Sequence, residues 1–370
     1  MSAYTIALIR DKQIEETKAL MSRCFDAKYA SIFYLHPEST LVVTSENRVV
    51  AGINLDIYQV NKKVKMGYIG WLYTDKDQRG NGLAGKLLKE AIRFLTEQRC
   101  TSLSACVEGD NPASFKQLAL EGFTILGLKD QLKLFRLGTA KVYHHASRFF
   151  DMGYFLWHKS LTDENMPQAA TDARALLITL LGNTILFFCC LRGWNLLNLL
   201  GLYPFSRSYA SLATDQYMLI VAAPAIFLLA RTASMALFAK GTRKRKRVEV
   251  VYRGWDTAWI GALLLTFTIG FPFPVPGNVY IKGHDWNIHG KTAFLARMAI
   301  RSQGALLLAA LFIPKGLALL FGLALVVLDG FFSLYPFCGF NASRIKRMGA
   351  KTYGLSLAIT LAVVLLLLVY

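Results

Sequence analysis

From Ala175 onward the chain repeats one feature that limits what it can become: apolar runs of roughly 17–22 residues, the length that crosses a bilayer as a helix. Ala175–Leu191, Tyr217–Lys240, Thr292–Ile313, Gly316–Tyr335 and Tyr353–Tyr370 are read as spans. A further stretch, Trp255–Val275, runs into FPFPVPGN. Counted as a crossing, it would put the basic cluster Arg344, Lys346, Arg347 and Lys351 on the opposite side from Arg243, Lys244, Arg245, Lys246 and Arg247. Basic loops stay on the cytoplasmic side, so this stretch is expected to dip in and return, with five spans and the C-terminus outside. Residues 175–370 are thus expected to form an α-helical polytopic membrane domain of five or six segments.

The net charge of +18 follows the same logic. The basic residues flank apolar runs, which suits anionic headgroups and argues against nucleic acid as the partner. The six cysteines show no metal or disulfide spacing and read as reduced thiols.

Residues 1–160 look different, mixing charged and apolar residues in the globular way, and residues 1–140 are expected to form a first domain. Met1–Arg10 is β-like, not a signal peptide, so this part is expected on the cytoplasmic side. The pattern predicts a strand at Tyr4–Ile9, a helix at Lys12–Cys24, and strands at Thr40–Thr44, Val49–Tyr58 and Lys65–Tyr73. A helix over Gly80–Arg99, a strand at Leu103–Val107, a helix over Pro112–Glu121 and strand-like residues at Ile125 and Leu132–Arg136 complete an α/β module. Residues 141–174 are expected to link the parts. Val142–Leu161 is rich in Tyr, Phe and Trp and reads as an amphipathic helix in the headgroup zone, with His144, His145 and His158 as polar tips. An ordinary helix packed on the first domain is the alternative.

The most chemical stretch is RGNGLAGK, Arg79–Lys86, at the junction of a predicted strand and helix. Gly80 and Gly82 allow close approach to a ligand, the helix start offers free amides, and Arg79 and Lys86 add positive charge; together these suit a phosphate.

Here the chain resembles the GCN5-related N-acetyltransferase (GNAT) family. Arg79-Gly80-Asn81-Gly82-Leu83-Ala84 matches its pyrophosphate loop R/Q-x-x-G-x-G/A, and Asn111–Phe123, NPASFKQLALEGF, is similar in spacing to a second family segment. The resemblance implies a mixed, mostly antiparallel sheet with helices, and acetyl- or acyl-coenzyme A as donor. It implies cofactor contacts from Leu72, Tyr73, Arg79, Gly80, Asn81, Gly82, Leu83, Ala84 and Asn111. Pantetheine would lie between Lys65–Tyr73 and Leu103–Val107, with amides near Leu72 and Tyr73 polarising the thioester. Where many members carry an acidic tyrosine, this chain has Leu118. Tyr73, Tyr68 and Cys106 remain as candidate acids and Glu108 and Asp110 as candidate bases, unless the carboxylates are merely solvated. Tyr73 and Glu108 are the catalytic expectations.

The back half resembles the intramembrane site-2 metalloproteases over Ala213–Tyr370. RTASMALFAK (Arg231–Lys240), FPFPVPGNVYIKG and LYPFCGFNASRI (Leu334–Ile345) carry the likeness. The family's zinc histidines fall at Arg231 and Met235, its base at Thr232 and its aspartate ligand at Asn341. Guanidinium, thioether and amide replace them, so no metal and no proteolysis are expected. What remains is an expected cleft for a membrane guest, touched by Arg231, Met235 and Asn341 and by His284 and His289 of HDWNIH. Arg231 at membrane depth is expected to meet a headgroup, a substrate carboxylate or Asn341, or to snorkel. Asp329 in VVLDG is set aside as a ligand.

The resulting expectation is a membrane-bound N-acyltransferase, expected to be a multi-pass protein of a bacterial inner membrane, with a membrane peptide or aminolipid as acceptor. The rival is a non-catalytic receptor with an acyl-coenzyme A-sensing domain and a peptide-binding pseudoprotease core.

Overall fold

The computed structural model describes the chain apart from residues 1–3, 26–31, 149–151, 163–171, 203–213, 247, 283–287, 314–315, 335 and 370. Contacts divide it into a first unit, Met1–Val107, Asn111–Arg148 and Phe155–Ala169, and a second, Glu108–Asp110, Phe149–Tyr154 and Ala170–Tyr370.

The first unit is built on a seven-stranded sheet. Its elements are β1 (Thr5–Leu8), α1 (Ile14–Cys24), β2 (Thr40–Ser45), β3 (Arg48–Gln59), β4 (Lys65–Thr74), α2 (Leu83–Glu97) and β5 (Ser102–Glu108). They continue as α3 (Pro112–Leu120), β6 (Thr124–Ile125), α4 (Leu128–Phe135), α5 (Gly138–Ala146) and β7 (Tyr154–Ser160). The strand order is β1-β2-β3-β4-β5-β7-β6. The first four strands pair antiparallel and β4 pairs parallel with β5, a connection that needs a crossover, which α2 supplies. The apolar stripe Leu83, Leu87, Leu88, Ala91 and Leu95 is buried, as its helical spacing predicts. Leu95 packs so closely on Gly67 that a side chain there would collide with it.

Two irregularities shape β4. Asn54 of β3 stands opposite Trp71 and Leu55 opposite Ile69, which leaves Gly70 as a bulge. The parallel pairing with β5 holds only at Met66–Ser102, Gly67–Leu103 and Tyr68–Ser104, so beyond this row the two strands part.

Two sequence expectations are corrected here. Leu132–Arg136 is not a strand; its apolar residues lie on α4, where Phe135 is fully buried. The expected linker 141–174 contains α5 and β7, both core elements of the first unit. Val142 and Tyr143 of α5 are buried, and β7 pairs with β6 through Trp157 and His158. Of the aromatic residues that suggested a membrane surface, Tyr143 and Phe155 are buried in a protein core.

The second unit holds α6 (Asp172–Leu191), α7 (Leu196–Leu199), α8 (Thr214–Lys246), β8 (Glu249–Arg253), α9 (Ala258–Ile269), β9 (Asn278–Lys282), α10 (Ile288–Phe312), α11 (Leu317–Phe331), α12 (Asn341–Lys346) and α13 (Ala350–Val369). Among the described residues, four helical stretches are long and apolar enough to cross a membrane: Asp172–Leu199, Val221–Thr242, Lys291–Phe312 and Ala350–Val369. The expected span Gly316–Tyr335 is the shorter helix α11, of 15 residues. The stretch Trp255–Asn278 makes a closed excursion. α9 ends at Gly270, whose φ of 69° is the left-handed stop of a helix, and the proline-rich chain then returns. β9 pairs antiparallel with β8, so Asn278 comes back beside Arg253.

Candidate functional site

Arg79–Gly82 form an exposed turn between β4 and α2, and Leu83–Lys86 open α2. Gly80 and Gly82 have φ of 91° and 72°, conformations that disfavour any side chain, and the space a β-carbon would enter is empty at both. Gly82 is the N-cap of α2, so the first-turn amides from Leu83 onward have no intrahelical acceptor. The Arg79 side chain donates Nε to the Thr74 carbonyl at 3.2 Å, and the Asn81 amide donates to the Gln78 carbonyl at 3.2 Å. Open positive-φ glycines, free amides and two cations suit a pyrophosphate.

The gap between β4 and β5 opens beside this turn. The Asp75 amide donates to the Val50 carbonyl at 2.8 Å, which makes Val50–Asp75 a hydrogen-bonded pair. By alternation the Tyr73 amide also faces β3, whereas the Leu72 amide faces the gap. Of the two amides expected near a thioester, only that of Leu72 faces the gap.

The catalytic expectations fare differently. Tyr73 is buried and its hydroxyl donates to Asn54 Oδ1 at 3.0 Å. Burial holds the phenol well above its usual range, with Cys24 adding to the effect, so Tyr73 is a poor proton donor. Glu108 carries an ion pair with Arg347 and keeps 16% of its side chain exposed. Burial raises its carboxyl and Arg347 opposes that shift; taking up a proton would cost the ion pair. Asp110 is held by Arg344, Nε to Oδ2 at 2.7 Å and Nη2 to Oδ1 at 3.0 Å, so it is no free base either. Leu118 is a buried core residue. Asn111 caps α3, its Oδ1 accepting from the Ser114 amide at 3.3 Å.

A polar cluster the sequence did not mark lies on the face of the sheet away from α2. Gly67 and Leu103 face α2, so their neighbours Tyr68 and Ser104 face the other way, in one row with Asp56. His145 of α5 reaches Asp56, Nδ1 to Oδ2 at 2.6 Å, and stacks on Tyr58 with ring centres 3.7 Å apart. Tyr34 lays its hydroxyl against the Gly70 bulge, where a β-carbon would overlap it. That hydroxyl is buried without a hydrogen-bond partner among the described residues. Asn54 anchors it by donating to the Tyr34 carbonyl at 2.5 Å. Asp56 and His145 are 89 positions apart in the chain, which is why no local motif could show them. His145 and His158 are therefore not interfacial tips: the first is paired, and the second is buried in β7.

In the second unit the expected cleft residues are filled. Arg231 is fully buried and clasps Asp329, Nε to Oδ2 at 3.1 Å and Nη2 to Oδ1 at 2.9 Å, while its Nη1 donates to the Gly277 carbonyl at 3.0 Å. It therefore neither snorkels nor waits for a guest. Asn341 donates its backbone amide and side chain to Asp329 at 3.0 and 2.7 Å, and its side chain to Ser302 at 3.0 Å. Asp329, set aside in the sequence, is the hub. Met235 is buried in an apolar cluster with Tyr252, Val279, Phe294 and Met298. His284 lies outside the described residues, as does the side chain of His289 on α10. Among the described residues no group of three or more His, Cys, Asp or Glu is placed to hold a metal ion.

Residues 6–119 match the acetyltransferase (GNAT) family, a match that covers less than half of the chain. The matched segment runs from β1 to α3. No curated protein matches the chain. Among solved structures, a chain of the NatC complex bound to Gag peptide and CoA is 19% identical, covering 44% of this chain and 100% of that one, with a TM-score of 0.34. Naa50 of Arabidopsis thaliana, in complex with a bisubstrate analogue, is 17% identical over 43% and 99% of the two chains, with a TM-score of 0.31. The ribosomal-protein-S18-alanine N-acetyltransferase of Escherichia coli is 14% identical over 45% and 99%, with a TM-score of 0.32.

Proposed function

We propose that the protein is a membrane-bound N-acyltransferase that moves an acetyl or longer acyl group from coenzyme A to an amine of a membrane-associated peptide or aminolipid. The observation that carries this reading is the Arg79–Gly82 turn and the start of α2, with two open glycines following the part of β4 that no longer pairs with β5. In this reading the turn and the first-turn amides of α2 hold the pyrophosphate, and Arg79 and Lys86 offset its charge. The thioester lies in the gap, its carbonyl oxygen facing the Leu72 amide. The amine attacks the carbonyl carbon directly, the C–N bond forms and the C–S bond breaks. Holding donor and acceptor together supplies much of the rate.

The acceptor class rests on the second unit. Its long helices leave Leu355, Ile359, Leu361, Leu365 and Leu368 of α13 exposed, a surface suited to lipid and not to water. The site-2-protease resemblance belongs to the same proposal. In it, the Arg231 guanidinium stands against the Asp329 carboxylate where a metal would sit. Guanidinium cannot ligate zinc, so the residues present do not fit that metal and no hydrolytic step is assigned to it.

The test is full-length protein in vesicles of phosphatidylethanolamine and phosphatidylglycerol, with acetyl-coenzyme A and a panel of short peptides. Thiol release together with one added acetyl mass on lipid or peptide supports the transferase, and Arg79→Glu should lower both at low salt and subsaturating acetyl-coenzyme A. Coenzyme A binding without acetyl transfer to any of these amines would favour the receptor reading instead.

A further inference from the structure

The first unit contains a second built site that the coenzyme cradle does not use. On the sheet face away from α2, Asp56, Tyr58, Tyr68 and Cys106 meet Tyr34 and His145. The row Asp56–Tyr68–Ser104 is the last at which β4 and β5 are still paired, so the cluster stands where the gap begins. α5 covers this face: its Val142 and Ala146 join Tyr58, Met66 and Tyr68 in one buried cluster, with Cys106 packed against it. Burial and the neighbouring Cys106, Asp56 and Tyr34 hold the Tyr58 phenol in its neutral form. Asp56 and His145 keep 21% and 26% of their side chains exposed, so the pair is reachable from outside.

We infer that Asp56 and His145 form the acceptor-amine subsite, with His145 as the base and Asp56 as its positioning residue; this rests on the acyltransferase reading. A carboxylate only accepts hydrogen bonds, so Asp56 fixes the proton of His145 on Nδ1 and leaves Nε2 as an acceptor. The Tyr58 ring stacked beneath the imidazole holds its plane. The substrate class is a cationic primary amine, drawn to a carboxylate among aromatic faces. The ammonium gives one proton to His145 Nε2, and the freed nitrogen attacks the thioester carbon. As the C–S bond breaks, a second nitrogen proton passes to the departing thiolate, and His145 releases its own to solvent. The balance is ammonium plus acyl-thioester to N-acyl amide, thiol and one proton. The Tyr34 hydroxyl lies at the Gly70 bulge, near enough to feel the charge of Asp56.

Calorimetry on the full-length protein separates the two subsites. The probes are coenzyme A and a conjugate in which its sulfur is joined through an acetyl group to the nitrogen of ethylamine. The wild type should bind the conjugate about tenfold more tightly than coenzyme A. His145→Ala and Asp56→Ala should lose that gain while coenzyme A affinity stays within about twofold, which also certifies the fold. Asp56→Glu should restore part of it. An undiminished gain in His145→Ala, or no gain in the wild type that binds coenzyme A, overturns the subsite. A wild type that does not bind coenzyme A overturns the acyltransferase reading and this inference with it.

Discussion

Arg231 and Asp329 are 98 positions apart, yet they meet as a two-pronged pair inside the second unit with neither side chain exposed. The pair extends through Asn341 to Ser302, and through the 3.4 Å contact of the Asn278 side chain with Asn341 toward Arg344. A buried charge loses its hydration, and it persists only where a partner and hydrogen bonds replace the water. Breaking one half is therefore worse than removing both. Arg231→Met alone should cost about 3–5 kcal/mol, because it leaves the Asp329 carboxylate buried and unpaired. The double variant Arg231→Met/Asp329→Asn should recover more than half of the loss, since the neutral amide still accepts from Asn341. Thermal unfolding in detergent of the two variants checks this; equal losses would show that the charge pair is not what holds the site.

The cradle predicts a salt-dependent phenotype. Arg79 contributes a positive charge to an exposed turn, so reversing it with Arg79→Glu should weaken coenzyme A binding by about tenfold or more at low salt. The deficit should shrink as ionic strength rises, because exposed charges are screened within about 10 Å at 0.1 M. Gly82→Ala acts differently. No atom obstructs a methyl group there, but the left-handed backbone costs an L-residue about 1–2 kcal/mol. Its effect on affinity should not depend on salt, and calorimetry at two ionic strengths distinguishes the cases.

How far these features were visible in the sequence depends on their range. The glycine turn after β4 was legible because its residues are contiguous and glycine declares the backbone conformation, as Gly80 and Gly82 show. The helices were legible from their periodicity. Tyr154–Ser160 was not, because an aromatic strand in a core and an aromatic helix at a membrane surface share a composition and differ only in partners. Asp56–His145 and Arg231–Asp329 are long-range meetings that no spacing records. Asp329 was discounted because the residues after it broke a familiar pattern, while its partner sat on another helix.

His158 gives the first unit a definite acid response. It is buried in β7 against Phe135, and loss of hydration pushes its imidazole down to about 4 from an ordinary 6.5. Below pH 6.5 the unfolded chain binds the proton and the folded one does not, so stability rises with pH in this window. The contribution is fully present above pH 6.5 and fades as pH falls toward 4, by about 3 kcal/mol at most. His158→Phe keeps the ring and removes the titration. Thermal melts of the two proteins between pH 7 and pH 4 should diverge in slope, with the variant losing less; parallel curves would contradict the assignment.

The Tyr73 hydroxyl, the acid the sequence suggested, is expected to be structural. Its donor bond to Asn54 helps hold the side chain that anchors Tyr34. Tyr73→Phe should lower stability by about 1–3 kcal/mol, the cost of leaving a buried polar partner unsatisfied. Turnover at saturating substrate should stay within about threefold of the wild type, since a lost general acid would cost on the order of a hundredfold or more. A drop of that size in kcat with stability unchanged would return Tyr73 to the catalytic role.

The pairing of β8 with β9 decides the topology. Because Asn278 returns beside Arg253, the stretch between them starts and ends on one side, whatever its depth. If α10 crosses and the shorter α11, about 22 Å long, returns, the basic residues around α12 lie on that side again. Lys282 and Lys351 are both exposed, and single cysteines placed there should be labelled from the same face of sealed vesicles. A cysteine at Val369, one 20-residue helix further on, should be labelled from the opposite face. Arg243–Lys246 at the end of α8 would then share the cytoplasmic face with Lys282 and Lys351, as loops rich in Lys and Arg do. Labelling of Lys282 and Lys351 positions from opposite faces would mean that α11 does not return, and the arrangement of five crossings and one closed excursion would fall.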